Sequence, residues 1–216
     1  QPLLAVLRPS STLEAHRQLE LLQAVGLVHV ELAVQASPAW SQQTQELTKA
    51  FPSLRLGAAS VTCLDHLEAV AAAGLAYAVS PIFDPELLQR AGQLGLTLVP
   101  GVLSPTEVHR AQRWGCALVK LFPARPLGPS YWPSLAGPLG PLPFCIAAGG
   151  LGCSDVLPWL DQGVDAVALG GRLFGATPGH SPTQASGERD LGLGTLDPQL
   201  AGLIQQLAVL THQRLH

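Results

Sequence analysis

Charged side chains are scarce in this chain of 216 residues. Asp, Glu, Lys and Arg together make up 12%, about half the usual share of a soluble domain. Twelve Lys plus Arg against fifteen Asp plus Glu leave a formal net charge of −3. That balance gives no basic footprint for nucleic acid and no attraction to an anionic membrane surface. No apolar run approaches the roughly 18 residues of a membrane span. No charged leader precedes a cleavable apolar stretch, so no signal peptide is expected. The chain opens on Gln1 rather than Met, which leaves room for residues upstream. Cysteine is sparse too. Cys63, Cys116, Cys145 and Cys153 form no CxxC pair and have no His at ligand spacing, so neither a zinc site nor a disulfide framework is expected. Free, buried thiols of a reducing, cytoplasmic setting are the expectation. The seven His residues show no metal spacing. GxSxG, GxxxxGK[ST] and HExxH are absent, which removes motif support for serine hydrolases, P-loop enzymes and zincins.

What is present is apolar and regular. At 47% hydrophobic residues the chain is not disordered, and at this length it buries roughly 70–75% of its unfolded surface without staples. One domain is expected. Short runs of Val, Leu, Ile and Ala recur at Leu3–Leu7, Val28–Val34, Arg55–Ala59, Ala76–Val79, Leu96–Val99, Ala117–Phe122, Phe144–Ala148 and Ala166–Leu169. Such continuous apolar runs suit strands covered on both faces. Between them lie helical stretches with a Ser or Asp before the start, Pro at the first position and Gly past the end. Examples are Asp84-Pro85 to Gly95 and Ser104-Pro105 to Gly115. Others are predicted after Ser11-Thr12, after Asp65 and after Ser154-Asp155. Eight strands alternating with helices predict an α/β fold, a single (β/α)8 TIM barrel with its core over residues 3–174 in preference to an open doubly wound sheet, which periodicity does not exclude because it cannot count closure. Residues 175–196, rich in Gly, Ser, Thr and Pro, read as a loop or insertion, and 197–214 as a C-terminal helix opened by Asp197-Pro198.

Lysine occurs only at Lys49 and Lys120. Lys49 lies late in a polar helix and reads as solvated. Lys120 lies inside Ala117-Leu118-Val119-Lys120-Leu121-Phe122-Pro123. An ammonium there is costly unless paired or neutralised, and burial frees the amine to act as a nucleophile. A buried ion pair or a snorkelling strand-end Lys would account for it equally well. Glu31 is the second unusual charge. Strand period two puts His29, Glu31 and Ala33 on one face, and Leu118, Lys120 and Phe122 on one face of strand six. With the valines outward, Glu31 and Lys120 share the lumen, either neutralising one another or joining a proton-transferring carboxylate to an imine-forming amine. Arg8 and Ser60 end strands one and three at the same mouth. Gly149-Gly150 and Gly170-Gly171 follow the last two strands, where barrels often hold phosphate on backbone N–H groups, and Arg172 adds charge.

These segments resemble one family. Val119-Lys120-Leu121-Phe122-Pro123-Ala124 looks like the Schiff-base lysine motif of the 2-keto-3-deoxy-6-phosphogluconate aldolases. Val30-Glu31-Leu32 is similar to the segment bearing their catalytic glutamate, and Gly57-Ala58-Ala59-Ser60-Val61 to their GAGTV strand. Ser80-Pro81, Pro100-Gly101, Ala148-Gly149-Gly150 and Leu169-Gly170-Gly171 follow in the family's order. Ala5-Val6-Leu7-Arg8, Ser37-Pro38-Ala39-Trp40 and Leu127-Gly128-Pro129-Ser130-Tyr131 look more like the relative acting on the galactonate epimer. The resemblance implies a class I aldolase, a cytoplasmic homotrimer without metal or other cofactor, releasing pyruvate and glyceraldehyde 3-phosphate. It implies Lys120 and Glu31 as catalytic residues. Arg8, Gln35, Ser60, Pro81, Phe122, both glycine pairs and Arg172 would contact a phosphorylated keto acid. Gln35 stands where the gluconate enzymes usually carry an Arg for the substrate carboxylate. Ala148 replaces a Thr, Arg172 a Ser, and Ile82 a common Gly. A non-catalytic phosphosugar-binding barrel and a phosphosugar isomerase or epimerase are the competing readings.

Overall fold

The computed structural model describes residues 1–171, 173–174 and 195–213. Arg172 and residues 175–194, most of the expected insertion, lie outside the described residues. The strands are β1 Leu3–Leu7, β2 His29–Ala33, β3 Arg55–Ala59, β4 Tyr77–Val79, β5 Thr97–Val99, β6 Gly101–Val102, β7 Leu118–Leu121, β8 Phe144–Ala148 and β9 Ala166–Leu169. All pair in parallel, in the order β5-β4-β3-β2-β1-β9-β8-β7-β6.

The two ends of that order are consecutive in the chain, separated by Pro100 alone. Proline has no N–H to give the ladder, so the strand is interrupted there. Its carbonyl still accepts from Lys120 N at 2.8 Å, and Val99 O accepts from Ser80 N at 2.9 Å. The β5–β6 segment therefore joins β4 on one side to β7 on the other, and the sheet closes as a (β/α)8 barrel. The nine strands are the eight expected staves, the fifth broken by its proline.

The helices are α1 Thr12–Ala24, α2 Pro38–Ala50, α3 Leu64–Ala72, α4 Pro85–Gln93, α5 Pro105–Arg113, α6 Tyr131–Ser134, α7 Ala136–Leu139, α8 Val156–Asp161 and α9 Gln199–Gln213. Their starts follow cap chemistry. Ser11 accepts from Glu14 N, Asp84 from Glu86 N and Leu87 N, and Ser104 forms a reciprocal capping box with Glu107. Two starts differ from expectation. Cys63, not Asp65, holds the cap position of α3, with Asp65 inside the first turn. The stretch after Ser154-Asp155 opens as a 3-10 turn over Cys153–Asp155, leaving α8 short. Between β7 and β8 stand two one-turn helices, each carrying a proline (Pro133, Pro138) that prevents a longer one.

Side-chain parity divides the core. Val30, Leu32, Val119 and Leu121 turn outward, 0–3% exposed, into an aliphatic layer beneath the helices. Leu4, Val6, Val79, Val99 and Ile146 turn inward and pack as a separate lumen cluster. Leu200, Leu203, Ile204 and Leu207 of α9 join the outer layer. Lys49 is exposed, as expected. All four cysteines are free, but only Cys145 and Cys153 are buried. Cys116 is half-buried and Cys63, on the loop before α3, is exposed.

Candidate active site

Glu31 on β2 and Lys120 on β7 are among the few polar side chains buried in this barrel, at 1% and 5% exposure. Their strand parity turns both inward. The neighbours of Lys120 at the same parity, Leu118 and Phe122, pack on the lumen cluster, and Lys120 Nζ stands 4.9 Å from the Phe122 ring centroid. Neither carboxylate oxygen of Glu31 has a hydrogen-bond partner among the described residues. A paired, mutually neutralised ion pair is therefore not what this lumen holds.

Electrostatics follows from burial. Removal from water pushes the Glu31 carboxyl up to about 7, against the pull of Lys120 and Arg8. Burial also pulls the Lys120 ammonium below its ordinary value. Glu31 opposes that shift and Arg8 adds to it. Both groups are thus drawn toward their neutral forms, which suits a nucleophilic amine beside a carboxyl poised near neutral pH.

The C-terminal ends of the staves bring the remaining residues round the same mouth. Arg8 Nη2 donates to Ser60 Oγ at 3.3 Å. Ser60 has a φ of 64°, the left-handed region that non-glycine residues rarely occupy. Such local strain clusters where side chains are aimed for function. Gly170 lies against this pair, its missing Cβ position 3.9 Å from Arg8 Nη1. Gln35 is exposed and lines, with Arg8, Ser10 and Trp40, a cavity of about 600 Å³ between the first two β–α loops. Pro81 packs its carbonyl onto Gly101, where any side chain would overlap it. Gly149 and Gly150 have φ of 101° and 79°. A Cβ on Gly149 would stand 3.0 Å from the Phe122 ring. That turn is glycine because its backbone is left-handed and close to the lysine strand. The structure therefore gathers Lys120, Glu31, Arg8, Ser60, Pro81, Phe122 and both glycine pairs at one end of the barrel, with Gln35 on an adjoining cavity. Arg172 lies outside the described residues.

Two residues escaped sequence reasoning. Arg125 donates through Nη1 to Gly150 O at 2.8 Å and lies 3.5 Å from Asp155, so it braces the first glycine turn. Its position five residues past Lys120, in a loop leading off the lysine strand, was the available signal. Tyr77 on β4 lies across Gly57 on β3, and its parity toward the lumen was readable from Val79.

The family model described as KDPG and KHG aldolase matches residues 1–180. This chain belongs to that family. Among the family's members, the chain is 30% identical over 176 residues to the 2-dehydro-3-deoxy-6-phosphogalactonate aldolase of Escherichia coli (strain K12), which covers 81% of this chain and 85% of that protein. Among solved structures it is similar to one described as native KDPGal, with a TM-score of 0.73, 29% identity, and coverage of 84% and 87%. It is also similar to a cube-shaped protein cage designed by fusing symmetric oligomeric domains, with a TM-score of 0.77, 26% identity, and coverage of 99% of this chain and 75% of that one. The protein is accordingly an aldolase, a carbon–carbon lyase on a TIM barrel. Among the described residues no helix is long and apolar enough to cross a membrane.

Proposed function

We propose that this aldolase reversibly cleaves a 2-keto-3-deoxy-6-phospho sugar acid to pyruvate and glyceraldehyde 3-phosphate through an imine on Lys120. The observation that carries this reading is the buried Lys120 amine sharing the lumen with a buried, unpartnered carboxyl, Glu31.

The neutral Nζ of Lys120 attacks the C2 ketone and forms a carbinolamine. Glu31, directly or through a water, protonates the departing hydroxyl, and water leaves to give the iminium. The same carboxylate then takes the C4 hydroxyl proton. The C3–C4 bond breaks, its electrons flow into the iminium, and the aldehyde departs. Protonation of the resulting enamine at C3 and hydrolysis release pyruvate and restore the amine. A carboxyl near pH 7 serves both directions of this proton traffic.

Arg8 and Ser60 hold the substrate carboxylate, with Gln35 beside them and Pro81 and Phe122 as apolar walls. The Gly149-Gly150 and Gly170-Gly171 turns offer backbone N–H groups to the phosphate, with Arg172 adding charge. The galactonate epimer is the preferred substrate, on the strength of the E. coli relative. The enzyme works in the cytoplasm as a homotrimer, as the family resemblance implies; the similarity to a cage built from symmetric oligomeric domains supports an oligomer. The chain is one barrel domain with its core over residues 3–174, closed by α9. Neither nucleic acid nor a membrane is a partner.

Incubation with pyruvate and borohydride tests the chemistry. A fixed mass addition on Lys120, absent in Lys120→Ala, is expected. A wild-type protein that gains no mass while exchanging substrate protons would instead be an isomerase or epimerase. Parallel pyruvate-release assays on the two epimers test the preference, and sedimentation tests the trimer.

A further inference from the structure

Below the catalytic pair, the N-terminal mouth of the barrel is open. A cavity of about 570 Å³ enters it there, lined by Leu4, His29, Tyr77, Val99 and Ile146 among others. Arg55 and His29 stand at its polar end. Glu31 does not line this cavity, although His29, two residues earlier on the same strand face, does. Something separates the two levels.

The strand register identifies it. Glu31 pairs with Gly57 across β2 and β3, and Ala58 pairs with Ala78 across β3 and β4. Glu31, Gly57 and Tyr77 therefore stand side by side on one row of the lumen. Gly57 has no side chain, and a Cβ there would overlap the Tyr77 ring. The ring thus lies over Gly57, next to Glu31 on that row, and borders the cavity beneath. Its hydroxyl points down to Arg55 O at 3.4 Å, away from the acid, so the face turned to Glu31 is apolar.

We propose that Tyr77 is a positioning residue of this aldolase: its ring, seated on Gly57, walls off the lower cavity and keeps water from the Glu31 carboxyl. This rests on Glu31 acting as the proton-transfer group. The charged and titratable groups facing Glu31 are Lys120 from β7, Arg8 past the end of β1 and Tyr77 from β4. β3 contributes only Gly57 at that level. Lys120 and Arg8 both favour the ionised acid, so burial away from water is what raises it. With the ring removed, the lower cavity extends to the carboxyl, water enters and the ionised form is favoured.

The pH dependence of kcat and kcat/KM reads this directly. Wild type is expected to show a limb near pH 7. Tyr77→Ala should move it by more than one pH unit toward acid, with KM for the phosphorylated substrate little changed. Tyr77→Phe, which keeps the ring and drops the hydroxyl, should restore the wild-type profile. Should Tyr77→Ala fail to fold, Tyr77→Val keeps an apolar strand residue, opens the same gap and should show the same shift. Superimposed profiles for wild type and the ring-less variant would overturn the inference. So would a Tyr77→Phe shift as large as that of Tyr77→Ala, since the hydroxyl would then be the operative group. Borohydride trapping on the same samples separates the two levels: a wild type without an adduct defeats the proposed chemistry, whereas a trapped adduct with unmoved profiles defeats the role of Tyr77 alone.

Discussion

On β7, Val119 and Leu121 turn outward, both at 0% exposure, into the aliphatic layer beneath the helices. Lys120, between them, turns inward beside Glu31. One strand thus serves two regions built on different terms. The outer layer is mostly aliphatic, with a few buried hydroxyls such as Ser41, which donates to Ala69 O, and it stabilises the barrel through apolar area removed from water. The lumen's upper half holds the buried Lys120 amine and the Glu31 carboxyl, whose oxygens have no hydrogen-bond partner among the described residues; such groups lower stability and supply reactivity. Adjacent residues can therefore be indispensable for opposite reasons.

Lys120→Met is the widest separation of the two. Losing the nucleophile should cut turnover by roughly 10⁴-fold or more, about 5 kcal/mol of barrel-bound catalysis. The variant should also melt above wild type, because a buried polar amine is replaced by an apolar chain of similar length. A melting temperature below wild type would mean that Lys120 is structural. Leu121→Ala, one residue away, should do the reverse. Urea unfolding should report a loss of about 2–5 kcal/mol, while the folded enzyme keeps its borohydride-trapped adduct.

Glu31→Gln brings both regions into one measurement. The folded-state carboxyl lies at about 7, raised from 4.5. The stability this group lends is complete below the lower value and is lost as pH rises through the upper one. Replacing it by a neutral amide should therefore change thermal stability little at pH 4.5. At pH 8 it should raise stability by as much as about 3 kcal/mol, a figure that already contains the opposing pull of Lys120 and Arg8 on the carboxylate. A gain of equal size at both pH values would contradict burial of the carboxyl. The smallest effect is expected at the rim. Arg125→Gln unbraces Gly150 and should raise KM for the phosphorylated substrate about fivefold, about 1 kcal/mol, with kcat nearly unchanged in steady-state assays.

Much of this was legible in local chemistry. The caps at Ser11, Asp84 and Ser104 locate three helix starts within a residue, because an orphan N–H needs an oxygen in a fixed place. Strand parity alone put Glu31 and Lys120 on inward faces. The broken fifth stave was less visible. Pro100 and Gly101 fall just past the strand run Leu96–Val99 read from the sequence, and their closing of the ring depends on Pro100 O receiving Lys120 N from a neighbouring stave. Arg125 and Tyr77 were missed because each acts on a glycine far away in the chain, and neither contact follows a sequence period.

By itself, then, the sequence determined the alternation of strands and helices, the faces on which the two unusual charges lie, and the glycine turns beside them, since these depend on backbone period and on hydrogen bonds between near neighbours. Only the tertiary structure decided that the Glu31 carboxyl has no hydrogen-bond partner among the described residues, that Arg125 braces Gly150, and that the Tyr77 ring seats on Gly57. Those outcomes depend on which atoms meet across the barrel, and packing between distant staves sets that.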